Sequence, residues 1–227
     1  MITVDLARTP VRELNQRLHD LPLDTRERDW RILNPKGQHA IAAGLSVAVN
    51  ITIEGHAGYY CAGMNQAATV VINGHAGVGL GENIMSGVVR VKGNASQSAG
   101  ASGRGGMIVI EGDASARCGI SMKGADIVVG GSIGHLSAFM AQTGRLVVCG
   151  DAGQSLGDSI YEATLYVRGR VGSLGADCIE KEMTAAHVRD LTELLARAGF
   201  DVSANEVRRY GSARKLYNFH PDHADDY

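Results

Sequence analysis

Residues 70–87 read VVINGHAGVGLGENIMSG, a strand-like run entering a glycine-rich corner. A dinucleotide loop would place G-x-G-x-x-G at the mouth of a helix, so that backbone N–H groups meet a pyrophosphate. Counted from Gly77 the last glycine should stand at Glu82, and counted from Gly79 at Ile84, so the fingerprint fails. The chain then continues as the alternating run Val88-Val89-Arg90-Val91 rather than as an amphipathic helix, and Gly-Lys-Ser and Gly-Lys-Thr are both absent. These glycines answer to a different rule.

The rule is a spacing of 19 residues. Gly55, Gly74, Gly93, Gly112, Gly131, Gly150 and Gly169 follow one another at that interval without a slip. Four and two positions before each stand Ile51/Ile53, Val70/Ile72, Val89/Val91, Ile108/Ile110, Ile127/Val129, Leu146/Val148 and Leu165/Val167. Two positions after each glycine the residue is Ala57, Ala76, Ala95, Ala114, Ile133, Ala152 or Val171. Seven positions after, it is Ala62, Gly81, Gly100, Gly119, Ala138, Gly157 or Ala176. A period of 2 before the glycine predicts a strand with one buried face. The glycine itself predicts a positive φ or a tight corner. One short strand recurring at the same place in every unit predicts a coil of rungs paired in parallel, about 4.8 Å apart, so seven rungs span roughly 34 Å. Leucine-rich repeats need a Leu ladder and Asn, and hexapeptide coils need a period divisible by six. The expected fold is therefore all-β, a right-handed single-stranded parallel β-helix with 19-residue rungs, flanked by short N- and C-terminal helices.

Composition agrees. Residues 48–172 hold 25 of the 30 glycines and none of the four prolines, which would each remove a ladder donor. A net charge of −2 gives no basic surplus for nucleic acid or an anionic membrane. No apolar run has the length of a membrane span, the N-terminus lacks a signal-peptide layout, and the four cysteines show no C-x-x-C. A cytoplasmic protein with reduced thiols is expected. Three regions follow: an N-terminal helix, extended lead-in and opening cap over 1–47, the coil over 48–180, and a C-terminal helix and tail over 181–227. Thr9-Pro10 should open a helix carrying Val11, Leu14, Leu18 and Leu21, and residues 41–47 an incomplete opening rung. Thr184 should cap a helix with the stripe Val188, Leu191, Leu194, Leu195 and Ala198, stopped by Gly199. The tail after Phe219 is polar and is expected to be loosely held.

Few residues suggest chemistry. His56 and His75 share a column one position past the glycine, an imidazole pair of the kind that serves a metal, but the column continues Asn94, Asp113, Ser132, Asp151, Arg170 and brings no third ligand. Cys61 and Cys118 share another column three rungs apart, too far for a disulfide, and read as buried small residues. Nothing beside Cys149 or Cys178 marks a reactive thiol. Arg104 and Lys123 stack between Met85 and Gln142, as an anion-binding patch or a solvated face. The single tryptophan, Trp30, lies outside the coil, against a sugar-binding surface. The outward column three positions before each glycine runs Thr52, Val71, Arg90, Val109, Val128, Val147, Tyr166. Its last four members, Val109, Val128, Val147 and Tyr166, form an apolar ladder that needs a cover, either the 184–198 helix or a partner protein.

The seven glycine-marked turns, with GVGLG at 77–81, resemble the GxGxG domain of glutamate synthases and the related β-helix chain of formylmethanofuran dehydrogenases. The lead-in NPKGQHAIAAGL and the segment GSARKLYNF look most like the free-standing glutamate-synthase-like subunit of N-methylglutamate synthase. The resemblance covers nearly the whole chain. It implies a right-handed β-helix without a catalytic site, a metal or a cofactor of its own, bracing two other subunits. One would be a class II amidotransferase-like chain, whose N-terminal cysteine has no counterpart in Met1-Ile2-Thr3. The other would carry FMN, with or without an iron–sulfur cluster. The complex would convert methylamine and L-glutamate into N-methyl-L-glutamate and ammonia. The alternative implied is the β-helix chain of a formylmethanofuran dehydrogenase or formyltransferase-type C1 complex.

Overall fold

The structure is a computed structural model that describes residues 1–216; the reading of the tail after Phe219 lies outside them. In chain order the elements are β1 (Ile2–Asp5), α1 (Val11–His19), β2 (Asp29–Leu33), β3 (Asn50–Glu54), β4 (Thr69–Ile72), β5 (Val88–Val91), β6 (Met107–Ile110), β7 (Lys123–Val129), β8 (Thr143–Val148) and β9 (Thr164–Val167). The C-terminal part adds β10 (Cys178–Lys181), α2 (Ala185–Ala198) and β11 (Arg208–Ser212). From β3 to β9 each strand pairs in parallel with the next, and the pairing keeps the expected register: Ile51 opposite Val70, Val70 opposite Val89, and so on to Leu146 opposite Leu165. The fold is a parallel β-solenoid of about seven turns, consistent with the right-handed coil expected. All fourteen aliphatic residues of the two inward columns are 0–1% exposed, so they are the core of the coil. Removing that much apolar surface from water is the main driving force for winding it.

Three ladders hold neighbouring turns together. The first is the strand sheet. The second is a single-residue row, Ala57–Ala76–Ala95–Ala114–Ile133–Ala152–Val171, in which each residue bridges the next in parallel. The third has no strand geometry. On it, positions five, seven and nine past the glycine hold left-handed backbone in successive turns: Gly79, Gly81 and Asn83 have φ of 71°, 59° and 57°, and Arg117, Gly119 and Ser121 have 59°, 68° and 52°. The N–H groups of these left-handed residues turn alternately to the following and the preceding turn. Gly79 donates to Gln97 O of the following turn (2.9 Å), Gly81 to Cys61 O of the preceding turn (2.9 Å), and Asn83 to Ala101 O of the following turn (2.8 Å). Left-handed backbone costs a side chain roughly 1–2 kcal/mol. The hydrogen bonds to both neighbours, about 1 kcal/mol each, oppose that cost.

Of the two reasons expected for the corner glycines, a positive φ or a tight corner, the second prevails. Only Gly55 among the seven has a positive φ, 131°. The others are small because the turns approach too closely for a side chain. A Cβ on Gly150 would lie 2.7 Å from the carbonyl carbon and oxygen of Gly131 and 2.6 Å from Ser132 Oγ.

Both ends are closed by non-repeating segments. The lead-in contributes more than an incomplete rung: β2 pairs with β3 and β1 with β2, both in parallel, but at offsets of 21 and 28 residues. α1 then lies across the open first turn. Its Asn15 donates to Ala40 O (2.7 Å) and accepts from Ala42 N–H (3.0 Å), while Leu14 and Leu18 are buried. Pro10 occupies the N-cap position of α1 without a side-chain hydrogen bond, so Thr9 does not cap it. At the other end β11 inserts antiparallel between β9 and β10. No helix among the described residues is long and apolar enough to cross a membrane.

Candidate functional site

The outward ladder has its cover. Val109, Val128, Val147 and Tyr166 are 0–2% exposed and form one apolar cluster with Leu191, Leu194, Leu195 and Ala198 of α2. Of the two covers expected, the chain's own helix is in place, and these four residues are not available to a partner. The reason is local: α2 buries Leu191, Leu194, Leu195 and Ala198 of the stripe read from its sequence, and both its ends are capped. Thr184 accepts from His187 N–H and the His187 ring returns to Thr184 N–H, a reciprocal cap, and Gly199 ends the helix at φ 78°. Arg90, the ladder's one cation, donates to Ala198 O (2.7 Å) and to Glu111 (3.0 Å). A guanidinium at that helix end complements the helix dipole. Beyond Arg90 the outward residues Thr52 and Val71 are half-buried without a helical cover.

The polar column past the glycines works as an acceptor ladder. His56 Nδ1 accepts from His75 N–H (3.0 Å), His75 Nδ1 from Asn94 N–H (2.8 Å), and Asn94 Oδ1 from Asp113 N–H (3.0 Å). Asp113 accepts from Ser132 N–H (2.7 Å), Ser132 Oγ from Asp151 N–H (3.0 Å), and Asp151 from Arg170 N–H (2.8 Å). The two imidazoles stack at 4.9 Å with planes 12° apart, which aims their free nitrogens side by side rather than at one point. Both Nδ1 atoms are already committed to backbone donors. Among the described residues no group of three or more His, Cys, Asp or Glu is placed to hold a metal ion. The Arg170 N–H, outweighing desolvation and aided by its guanidinium, holds the Asp151 carboxyl below the usual carboxylate range.

The thiols are free and mostly interior. Burial pushes Cys61, Cys118 and Cys178 up to about 12, and raises Cys149 against the opposing pull of Arg168. Thiols held that high stay protonated at neutral pH, so Cys61, Cys118 and Cys178 supply no thiolate nucleophile there. Arg104 and Lys123 do stack on successive turns, Lys123 N–H donating to Gly103 O (2.7 Å), and both are exposed. A polar cavity of about 110 Å³ lies at the C-terminal end, lined by Thr164, Lys181, Arg209 and Ser212 beside the Glu162–Arg214 pair. Sites for cofactor-sized molecules usually run to about 300 Å³ or more.

No family model matches the chain. Protein GlxC of Rhizobium meliloti (strain 1021) is 58% identical to it over 228 residues, across the full length of both proteins.

Proposed function

The chain belongs to the family of Protein GlxC, and from that membership, the coil and its resemblance to the glutamate-synthase GxGxG domain we propose that it is a non-catalytic structural subunit of a glutamate-synthase-like, FMN-dependent complex. Within that class the reading is N-methylglutamate synthase, forming N-methyl-L-glutamate and ammonia from methylamine and L-glutamate. The class II amidotransferase-like and FMN-binding subunits would carry the chemistry, and this chain would brace them. One observation carries the reading: the groups that could have served chemistry are spent on holding turns together. His56, His75, Asp113 and Asp151 accept backbone N–H groups of the next turn, and Cys61 and Cys118 fill the interior. A coil whose stacked His, Asp and Cys positions are committed in this way suits a brace.

The test is to purify the chain alone and assay it with methylamine and L-glutamate, then repeat with the two candidate partner subunits added. Turnover is expected only in the mixture. Turnover by the isolated chain would overturn the proposal, as would a full-rate reaction by the partners without it.

A further inference from the structure

Large apolar side chains left in water are concentrated on the third ladder's face. Tyr59, Val78, Met64, Met85 and Met140, each 41–54% exposed, project from turns along its length. They sit four, nine or eleven positions past the corner glycines, the window of left-handed backbone and its margins. The outward strand face, by contrast, hides its apolar ladder under α2. Between the apolar residues of this open face stand three exposed cations, Arg104 and Lys123 on one margin and Arg117 on the other, none of which makes an ion pair among the described residues. Methionines adapt to irregular partner surfaces, and unpaired cations inside an apolar frame call for carboxylates opposite them.

We propose that this face is the docking surface for a different polypeptide, one presenting acidic side chains framed by apolar ones. This rests on the reading of the chain as a subunit and says where its partner sits. A second copy is the poorer occupant. An isologous two-fold contact centred on the face would set Arg104, Arg117 and Lys123 against the same three cations. Like charges opposed across an interface penalise it. The backbone favours a rigid platform, since the N–H groups of Tyr60, Gly79, Ser98, Arg117 and Leu136 all donate to the following turn.

The experiment uses the complex isolated from source cells through a tag on this chain, with hydroxyl-radical footprinting of side chains. Oxidation of Met64, Met85, Met140 and Tyr59 should slow at least about 3-fold in the complex relative to the free chain, following their loss of exposure. Leu23, 78% exposed in the connection between α1 and β2 and outside the repeating turns, should not change. The pair Arg104→Glu/Lys123→Glu should weaken association with the purified partner at least about 10-fold, the scale of a desolvated charge contact. The equal charge change Arg12→Glu/Arg189→Glu should leave it unaltered, and both variants should keep the wild-type melting temperature. An unchanged footprint in a complex that nonetheless forms would overturn the proposal. So would a chain isolated alone or as a homodimer, or a free chain whose four probes become more reactive when residues 217–227 are removed. A hetero-complex protected on this face but lacking flavin and an amidotransferase-like chain would defeat the functional reading and leave this one standing.

Discussion

Replacing Gly150 by alanine tests why the corner column is glycine. The backbone there needs no left-handed conformation, so the cost should be one of space. The new Cβ meets Gly131 backbone atoms at 2.7 Å, where ordinary contact begins at 3.4 Å, and the turns must part by roughly 0.7 Å. No side-chain rotation relieves a clash with backbone. Gly150 N–H to Gly131 O (2.9 Å), Gly169 N–H to Gly150 O (3.0 Å) and Asp151 N–H to Ser132 Oγ (3.0 Å) cross the two gaps beside it. Stretching the first and third by that amount takes them beyond useful length. Overpacking costs about 1–3 kcal/mol and each weakened hydrogen bond about 1 kcal/mol, giving roughly 3–5 kcal/mol in all. The comparison is Gly37→Ala, where φ is 72° but nothing lies within 4 Å of the added carbon. Only the left-handed penalty of roughly 1–2 kcal/mol applies there. Urea unfolding at constant m-value measures both. A loss at Gly150 no larger than at Gly37 would refute the account of close approach.

Three further outcomes are expected. Leu194→Ala, at a position 1% exposed between α2 and the valine ladder, should cost about 2–4 kcal/mol by urea unfolding, and a loss under about 1 kcal/mol would mean that α2 is not the working cover. Asn94→Ala removes the acceptor for Asp113 N–H and also the side chain that crowds a Cβ on Gly112, so Asn94→Ala/Gly112→Ala should be less destabilised than the sum of its parts, and strict additivity would deny that the two columns are linked. Asp151→Asn keeps an acceptor for Arg170 N–H but loses the charge. Because the folded Asp151 pKa is depressed, the wild-type advantage is present above the unfolded carboxylate pKa near about 4 and is lost as pH falls through the lower folded value, whereas an advantage growing toward acid pH would reverse the sign argued here.

How much of this was legible follows from what each position selects. The inward strand columns select by volume and apolarity, so Ile51 through Val167 could be read directly, as could α2, whose stripe, Thr184 cap and Gly199 stop are all written in residue type. The column that holds Gly79 keeps no one residue type because its rule is conformational. Tyr60, Ser98, Arg117, Leu136 and Ser155 all adopt φ of 55–60° there, a penalty small enough for any side chain to bear. The polar column selects an acceptor atom, which His, Asn, Asp and Ser supply equally, so its residue types hid a single hydrogen-bond role. β1 and β2 escaped the 19-residue ruler because their offsets differ from it, and β11 because it closes the sheet antiparallel rather than extending the coil. The valine ladder was visible as something that needed covering; which of the two covers it took depended on tertiary packing.

The composition of the particle that holds this chain in its source cells tests its role as a structural subunit. Size-exclusion chromatography with mass and flavin analysis of the tagged chain should find it in a hetero-oligomer with an FMN-containing subunit and an amidotransferase-like subunit. Elution as a free 23.9 kDa protein would contradict the proposal that it is a structural subunit.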